Sequence, residues 1–149
     1  MRLISDEALA VATIWLEARG ESLDGKIAVA EVIRNRTARK YASDGTVAGT
    51  CFAPLQFSGW NSLDKNRAAA LQLDDADPTV AECLDAWLRA AQGSARTDGA
   101  VCYLNPDVTR DQRGDGTLPA WAADPFDRTR LDERKVALRL GHHVFLRVP

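Results

Sequence analysis

Apolar positions in the first forty residues recur at three- and four-residue intervals, the spacing that builds one face of an α-helix. Leu9, Ala12, Ile14, Trp15 and Leu16 form one such face, introduced by Ser5 as N-cap and by Asp6 and Glu7 in the first turn. Ile4 and Leu9 are spaced for a hydrophobic staple, and Gly20 stands where a left-handed residue commonly stops a helix. The pattern predicts a helix over about 6–19. A second helix is predicted from after Ser22 or Asp24 to about Arg39, with Ala28, Val29, Val32 and Ile33 facing inward. Arg34, Arg36, Arg39 and Lys40 crowd its C-terminal half, where the helix dipole favours cations.

Residues 41–63 lose the helical period. "ASDGTVAGT" is turn chemistry, "TVAGTCF" predicts a short strand or helical turn, and "PLQFSGWN" a shaped loop. Helices are predicted again over 66–73 and 78–92. The latter opens on Asp77-Pro78, a cap followed by proline at the first helical position. Ala81, Leu84, Trp87, Leu88 and Ala91 are expected on its buried face, and Gly93 is expected to end it. Residues 98–121 contain Gly99, Pro106, Gly114, Gly116 and Pro119, and read as loop around a short strand at "AVCYL". "KVALRLGHHVFLRV" closes the chain as one or two strands. No repeat or linker interrupts this order. The expectation is one α+β domain over residues 1–149, mainly helical with a small β region.

Composition narrows the function. A chain of 149 residues, 46% hydrophobic and 27% charged, can bury a core. A net charge of −2 lacks the basic footprint of a nucleic-acid binder. No apolar run approaches the roughly 18 residues of a membrane span, and "MRLISDEALA" has no uninterrupted leader core. Cytoplasmic synthesis without a signal peptide and no stable membrane association are therefore expected. Cys51, Cys83 and Cys102 show no CxxC spacing and read as reduced structural thiols.

The chemistry starts at Glu17. A carboxylate near a helix C-terminus faces the negative end of the dipole, where Lys or Arg is preferred. Arg19 follows that preference and Glu17 does not. Partial desolvation beside Trp15, Leu16 and Ala18 raises a carboxyl pKa, as a general acid for glycosidic cleavage requires. The plain alternative is a solvated surface glutamate. Glu21, near the start of the second helix, reads as a cap for its free N–H groups. The stretch Gln56, Phe57, Ser58, Gly59, Trp60, Asn61 mixes neutral donors and acceptors with flat aromatic faces, the mixture that binds sugars. A tryptophan there serves equally as a core plug. "YLNP" with Tyr103 and Asn105, and "LPAW" with Trp121, repeat the theme.

Other chemistries have less behind them. His142 and His143 are neighbours, which diverge on a strand or a helix, so no metal site is expected. A Cys–His amidase or endopeptidase using Cys51 or Cys102 stays open, although neither cysteine is placed at a helix N-terminus. No glycine-rich phosphate loop is present, which argues against nucleotide chemistry.

"EARGE" (17–21) followed by "GKIAVAEVIRNR" (25–36) resembles the SleB-type cell-wall hydrolase family, which includes spore-cortex-lytic catalytic domains and phage endolysins. "QFSGW", "GAVCYLNP", "PAW" and "LGHHVFLR" continue the resemblance in the family's order along nearly the whole chain. The resemblance implies a lysozyme-like fold, cleavage of peptidoglycan glycan strands, and no cofactor. It implies Glu17 as the catalytic acid, with Gln56, Ser58, Tyr103 and Asn105 lining the saccharide cleft. Glu21, Phe57, Trp60 and Trp121 join them as substrate-binding candidates. Cys102 and Leu104 depart from the family pattern, which tends to show His and Tyr there.

One well-placed acid favours a lytic transglycosylase over a muramidase, whose second carboxylate would come from Asp44 or Asp64. A catalytically dead glycan-binding module is the non-enzymatic alternative. The expected setting is a monomeric phage or prophage endolysin, acting in the periplasm after the membrane is permeabilised.

Overall fold

The computed structural model describes residues 4–93 and 96–149. The first three residues of the stretch read for a leader lie outside them. The chain divides into two compact units, Met1–Ser94 and Ala95–Pro149.

The first unit is helical: α1 (Asp6–Ala18), α2 (Leu23–Arg39), α3 (Val47–Cys51), a 3-10 turn (Ser58–Trp60), α4 (Arg67–Ala70) and α5 (Pro78–Ala90). Side chains cap the longer helices where the sequence places them. Ser5 accepts from the Ala8 N–H, Ser22 from the Gly25 N–H and Asp77 from the Thr79 N–H. Around 66–73 only the single turn of α4 forms.

Two local expectations are corrected. Gly20 is not left-handed. The Glu21 N–H closes a tighter turn onto the Ala18 carbonyl at 2.9 Å, and α1 ends on Arg19, itself still right-handed (φ −57°, ψ −29°). Its Nη1 donates to the Leu16 carbonyl at 3.1 Å and its guanidinium lies over the Trp15 ring at 4.6 Å. Ile4 also stays 56% exposed while Leu9 is buried, so the staple leaves Ile4 largely in solvent.

The core lies where α1, α2 and α5 meet. Ile14, Ile27, Ala28, Val29, Val32 and Ile33 are buried there. The buried face of α5 is rotated from the one expected. Val80, Cys83, Ala86, Trp87 and Ala90 are buried, whereas Ala81, Leu88 and Ala91 are exposed and Leu84 is half-buried. The small residues of that stripe let α5 approach α1 and α2 closely. Leu84 and Leu88 instead line an open groove of about 1100 Å³, together with Ile4, Val11 and Leu71. Arg34 ties α2 to α5, with its guanidinium 3.5 Å from the Trp87 ring centroid and Nη2 donating to the Trp87 carbonyl at 2.8 Å.

The second unit contains β1 (Cys102–Leu104), α6 (Pro106–Arg113), β2 (Val136–Leu140) and β3 (His143–Leu146). The strands form an antiparallel sheet in the order β1-β3-β2, with a bulge between Val136 and Leu138. Leu104, Val144 and Leu146 point from one face into a core with Leu118, Ala122 and Ala123. α6 replaces the loop expected there. Asn105 caps it, Pro106 occupies its first position, and left-handed Gly114 (φ 74°) ends it.

Three loops repeat one device. Asp44, Asp115 and Asp127 each accept from the N–H and the hydroxyl of the threonine two residues on. Such Asx turns hold the chain reversed without a packed core.

Candidate active site

Glu17 occupies the last turn of α1 and is half-buried. Thr13, Leu16, Glu17 and Gly20 form one stripe of that helix, since residues three, four and seven apart share a face. The 3-10 turn is laid on this stripe. Trp60 Nε1 donates to Thr13 Oγ1 at 2.9 Å. Gly59 is buried against Leu16, and a Cβ on Gly59 would lie 2.8 Å from Leu16 Cβ. The absence of a side chain on Gly59 is therefore what lets the loop touch α1 one residue from Glu17.

Thr13 is the hub of this arrangement, a role its sequence position alone does not announce. It is fully buried, and its hydroxyl donates to the Leu9 carbonyl at 2.8 Å while receiving Trp60. It thereby joins α1 to the 3-10 turn through one oxygen. A hydroxyl in the middle of an otherwise apolar helix face was the available signal. Phe52, absent from the sequence-derived candidates, stands half-exposed with its ring edge-on to Trp60 at 5.0 Å between centroids.

The other candidates of this unit fall into two groups. Gln56 and Trp60 are half-buried, and Ser58 is exposed. Phe57 is buried at 3% exposure, and the Arg36 guanidinium lies 4.9 Å from its ring centroid. Glu21 precedes α2 and is half-buried, but the cap expected of it belongs to Ser22. Glu21 meets α2 through its backbone, its carbonyl accepting from Lys26 Nζ at 2.6 Å.

In the second unit Tyr103 sits on the sheet face opposite the Leu104–Val144–Leu146 core. Its ring contacts Phe145 at 5.4 Å and His143 at 5.3 Å between centroids, the latter edge-on. His143 thereby joins the neighbourhood of a candidate residue through strand pairing, which the sequence alone does not specify. The Asn105 side-chain oxygen accepts from the N–H groups of Asp107 and Val108, so its acceptor serves the α6 cap. Trp121 is half-buried against the unit's core, and its carbonyl accepts from Lys135 Nζ at 3.0 Å.

Alternative chemistries fare poorly against this geometry. The Asp44 carboxylate is held in its Thr46 turn, which lowers its pKa, and Asp64 accepts from the Asn66 N–H at 2.8 Å. Burial pushes the Cys51 thiol up to about 11, far from a thiolate at neutral pH. Cys102 is buried and alternates with Tyr103 along β1, so it faces away from the side carrying His143. Among the described residues no three metal-ligating side chains converge.

Comparison with known proteins gives this geometry a context. A family model described as Cell Wall Hydrolase matches residues 20–146. Glu21 lies inside the matched span, and Glu17 lies three residues before it. The crystal structure of the catalytic domain of the Bacillus cereus SleB protein is 27% identical, with a TM-score of 0.64 over 95% of this chain and 89% of that one. The catalytic domain of the germination-specific lytic transglycosylase SleB from Bacillus anthracis is 26% identical, with a TM-score of 0.62 over 95% of this chain and 93% of that one. No curated protein sequence matches the chain. The fold is thus the α+β, lysozyme-like one of SleB catalytic domains, mostly helical with a small antiparallel sheet. The chain belongs to the SleB-type cell wall hydrolase family, and it is a peptidoglycan-degrading enzyme.

Proposed function

We propose that the enzyme cleaves the β-1,4 bond between N-acetylmuramic acid and N-acetylglucosamine as a lytic transglycosylase, with Glu17 as its single catalytic carboxyl. The observation that supports this reading is the seat of Glu17: a half-buried residue on the last turn of α1, with a loop of amide, hydroxyl and aromatic side chains laid on the same helix stripe. Asp44 and Asp64, the carboxylates considered as partners, are engaged in their own turns. The B. anthracis relative is itself named a lytic transglycosylase.

In this mechanism the Glu17 carboxyl gives its proton to the glycosidic oxygen as the C1–O bond breaks. Positive charge at C1 is stabilised by the substrate's own N-acetyl group. The muramyl 6-hydroxyl then attacks C1, and the Glu17 carboxylate takes the hydroxyl proton. The acid is regenerated, no water is consumed, and the product ends in a 1,6-anhydro ring. Gln56, Ser58, Tyr103 and Asn105 are proposed to contact ring hydroxyls and N-acetyl groups. Trp60 and Trp121 are proposed to supply apolar faces and Glu21 a polar contact, whereas Phe57, expected among the substrate-binding residues, is buried against Arg36 and supports the loop instead.

Mass spectrometry of muropeptides released from purified peptidoglycan tests the reaction. Fragments ending in 1,6-anhydro-muramic acid, lighter by one water than hydrolytic ones, are expected. Reducing muramic ends that borohydride converts to muramitol overturn the single-acid mechanism in favour of a muramidase. New N-acetylglucosamine ends overturn the bond assignment.

The setting we propose is a monomeric endolysin, made in the cytoplasm and acting in the periplasm once the inner membrane is opened. The B. anthracis relative is named as germination-specific, so the two settings are compared directly. Faster clearing of permeabilised Gram-negative cells than of spore cortex supports the endolysin; the reverse overturns it.

A further inference from the structure

Lys26 lies one turn into α2, where the positive end of the dipole disfavours a cation. It is nonetheless buried, at 2% exposure. Its Nζ donates to the Glu21 carbonyl at 2.6 Å and to Glu82 Oε2 on α5 at 2.9 Å. Glu82 is about half-exposed, so the ammonium reaches out of the core toward a partly solvated carboxylate. The Glu21 N–H donates in turn to the Ala18 carbonyl at 2.9 Å. The peptide units flanking Glu21 are therefore held on both sides, one by the end of α1 and the other by Lys26.

The neighbouring residue serves the same end. A Cβ on Gly25 would lie 2.9 Å from Glu21 Cβ, so a glycine is what lets the first turn of α2 close on the Glu21 stem. The turn between the helices has no left-handed glycine to fix it, because Gly20 does not adopt that conformation. We propose that Lys26 is a positioning residue: with Gly25 it seats Glu21 and fixes the α1–α2 turn, and so sets where the Glu17 carboxyl stands in the site. This rests on the reading of Glu17 as the acid. Displacement of a catalytic group by about 1 Å can cost up to about 100-fold in rate, so a small slackening of this turn is readable in turnover.

The test uses the full chain and a soluble glycan-strand substrate, assayed well below each variant's melting temperature. Lys26→Met is expected to lower kcat about tenfold or more with KM within about twofold. Glu82→Ala, which frees the outer end of the ammonium from a partly exposed position, is expected to lower kcat by a smaller factor. Glu82→Gln, which keeps an acceptor, is expected to restore it. The Glu82 pair decides the matter if Lys26→Met fails to fold. Wild-type kcat in the variants that fold, or losses that vanish on cooling and follow melting temperature alone, overturn the positioning role. Glu17→Gln is assayed alongside. If it is inactive while the Lys26 and Glu82 variants are unaffected, only this inference falls; if it is active, the acid assignment falls first.

Discussion

Trp60 Nε1 donates to Thr13 Oγ1 at 2.9 Å, and that bond ties the 3-10 turn to the helix stripe carrying Glu17. A buried donor left without its acceptor costs about 1–3 kcal/mol. Thr13→Val and Trp60→Phe should each destabilise the protein by roughly that amount. Because both remove one shared bond, their effects should be non-additive, with a coupling of about 0.5–3 kcal/mol in a double-mutant cycle. Urea unfolding of the two single variants and the double variant measures it; additive losses would mean that the bond does not couple loop and helix.

Gly59→Ala and Gly20→Ala should behave oppositely. A Cβ at Gly59 meets Leu16 Cβ at 2.8 Å, and neither the helix nor the buried turn can easily retreat. Overpacking of this kind costs about 1–3 kcal/mol, and displacement of the 3-10 turn should also depress lytic activity. A Cβ at Gly20 meets nothing within 4 Å, and its backbone is not left-handed. Gly20→Ala should be neutral or stabilising by up to about 1 kcal/mol. Thermal melts of the pair check the contrast, and a destabilised Gly20→Ala would mean that Gly20 does adopt a left-handed conformation at the end of α1.

Where the sequence speaks through local chemistry, it is legible. Ser5, Ser22 and Asp77-Pro78 mark three helix starts because a cap needs only a side-chain oxygen and two or three residues. The rotation of α5 is a tertiary matter. Leu84 and Leu88 look like core by size, yet close approach to α1 and α2 selects Cys83, Ala86 and Ala90. α6 buries no residue, so it has no apolar period to find, and its signals are confined to its ends at Asn105-Pro106 and Gly114. Among the candidate site residues, Glu17 stands out in the sequence because it opposes the dipole. Thr13 and Lys26 do not stand out, because a hydroxyl and an ammonium read as surface until a fold encloses them.

Glu17→Gln should abolish lysis and leave stability unchanged within about 1 kcal/mol. The amide preserves shape but has no proton to give the leaving oxygen, and general acid catalysis is worth about 100- to 10,000-fold. Turbidity loss of permeabilised cells, read beside the melting temperature, separates chemistry from fold. A folded Glu17→Gln enzyme with wild-type lysis would send the search for the acid to Glu21.

Native thiols should resist alkylation. Burial pushes both Cys51 and Cys83 up to about 11, so at pH 8 very little of either is thiolate. Iodoacetamide at pH 8 should leave Cys51 and Cys83 unmodified in the folded enzyme and modify all three cysteines in urea, as read by intact mass. Lytic activity should survive the native treatment. Rapid labelling of Cys51 with loss of turnover would return the thiol mechanism to consideration.

Acid stability should depend on Asp132. Its carboxylate is buried in the second unit and accepts from Arg134 through Nε at 2.8 Å and Nη2 at 2.9 Å. The Arg134 side-chain bond, joined by its backbone N–H and its charge, holds the Asp132 pKa below the usual carboxylate value. A folded-state pKa lower than the unfolded one means that the folded protein binds fewer protons in that range. The contribution to stability is complete above the unfolded value, about 3.9, and is lost as pH falls below it through the folded pKa. Asp44, Asp115 and Asp127 shift the same way through their threonine turns, so the wild type should lose stability on several groups together below about pH 4. Asp132→Asn should be less stable than wild type at pH 7 and nearer to it at pH 3, because the wild-type advantage there has been titrated away. Urea midpoints at pH 3, 5 and 7 give the answer. An Asp132→Asn deficit that stays constant across those pH values would assign the role of Asp132 to packing and neutral hydrogen bonds rather than to its charge.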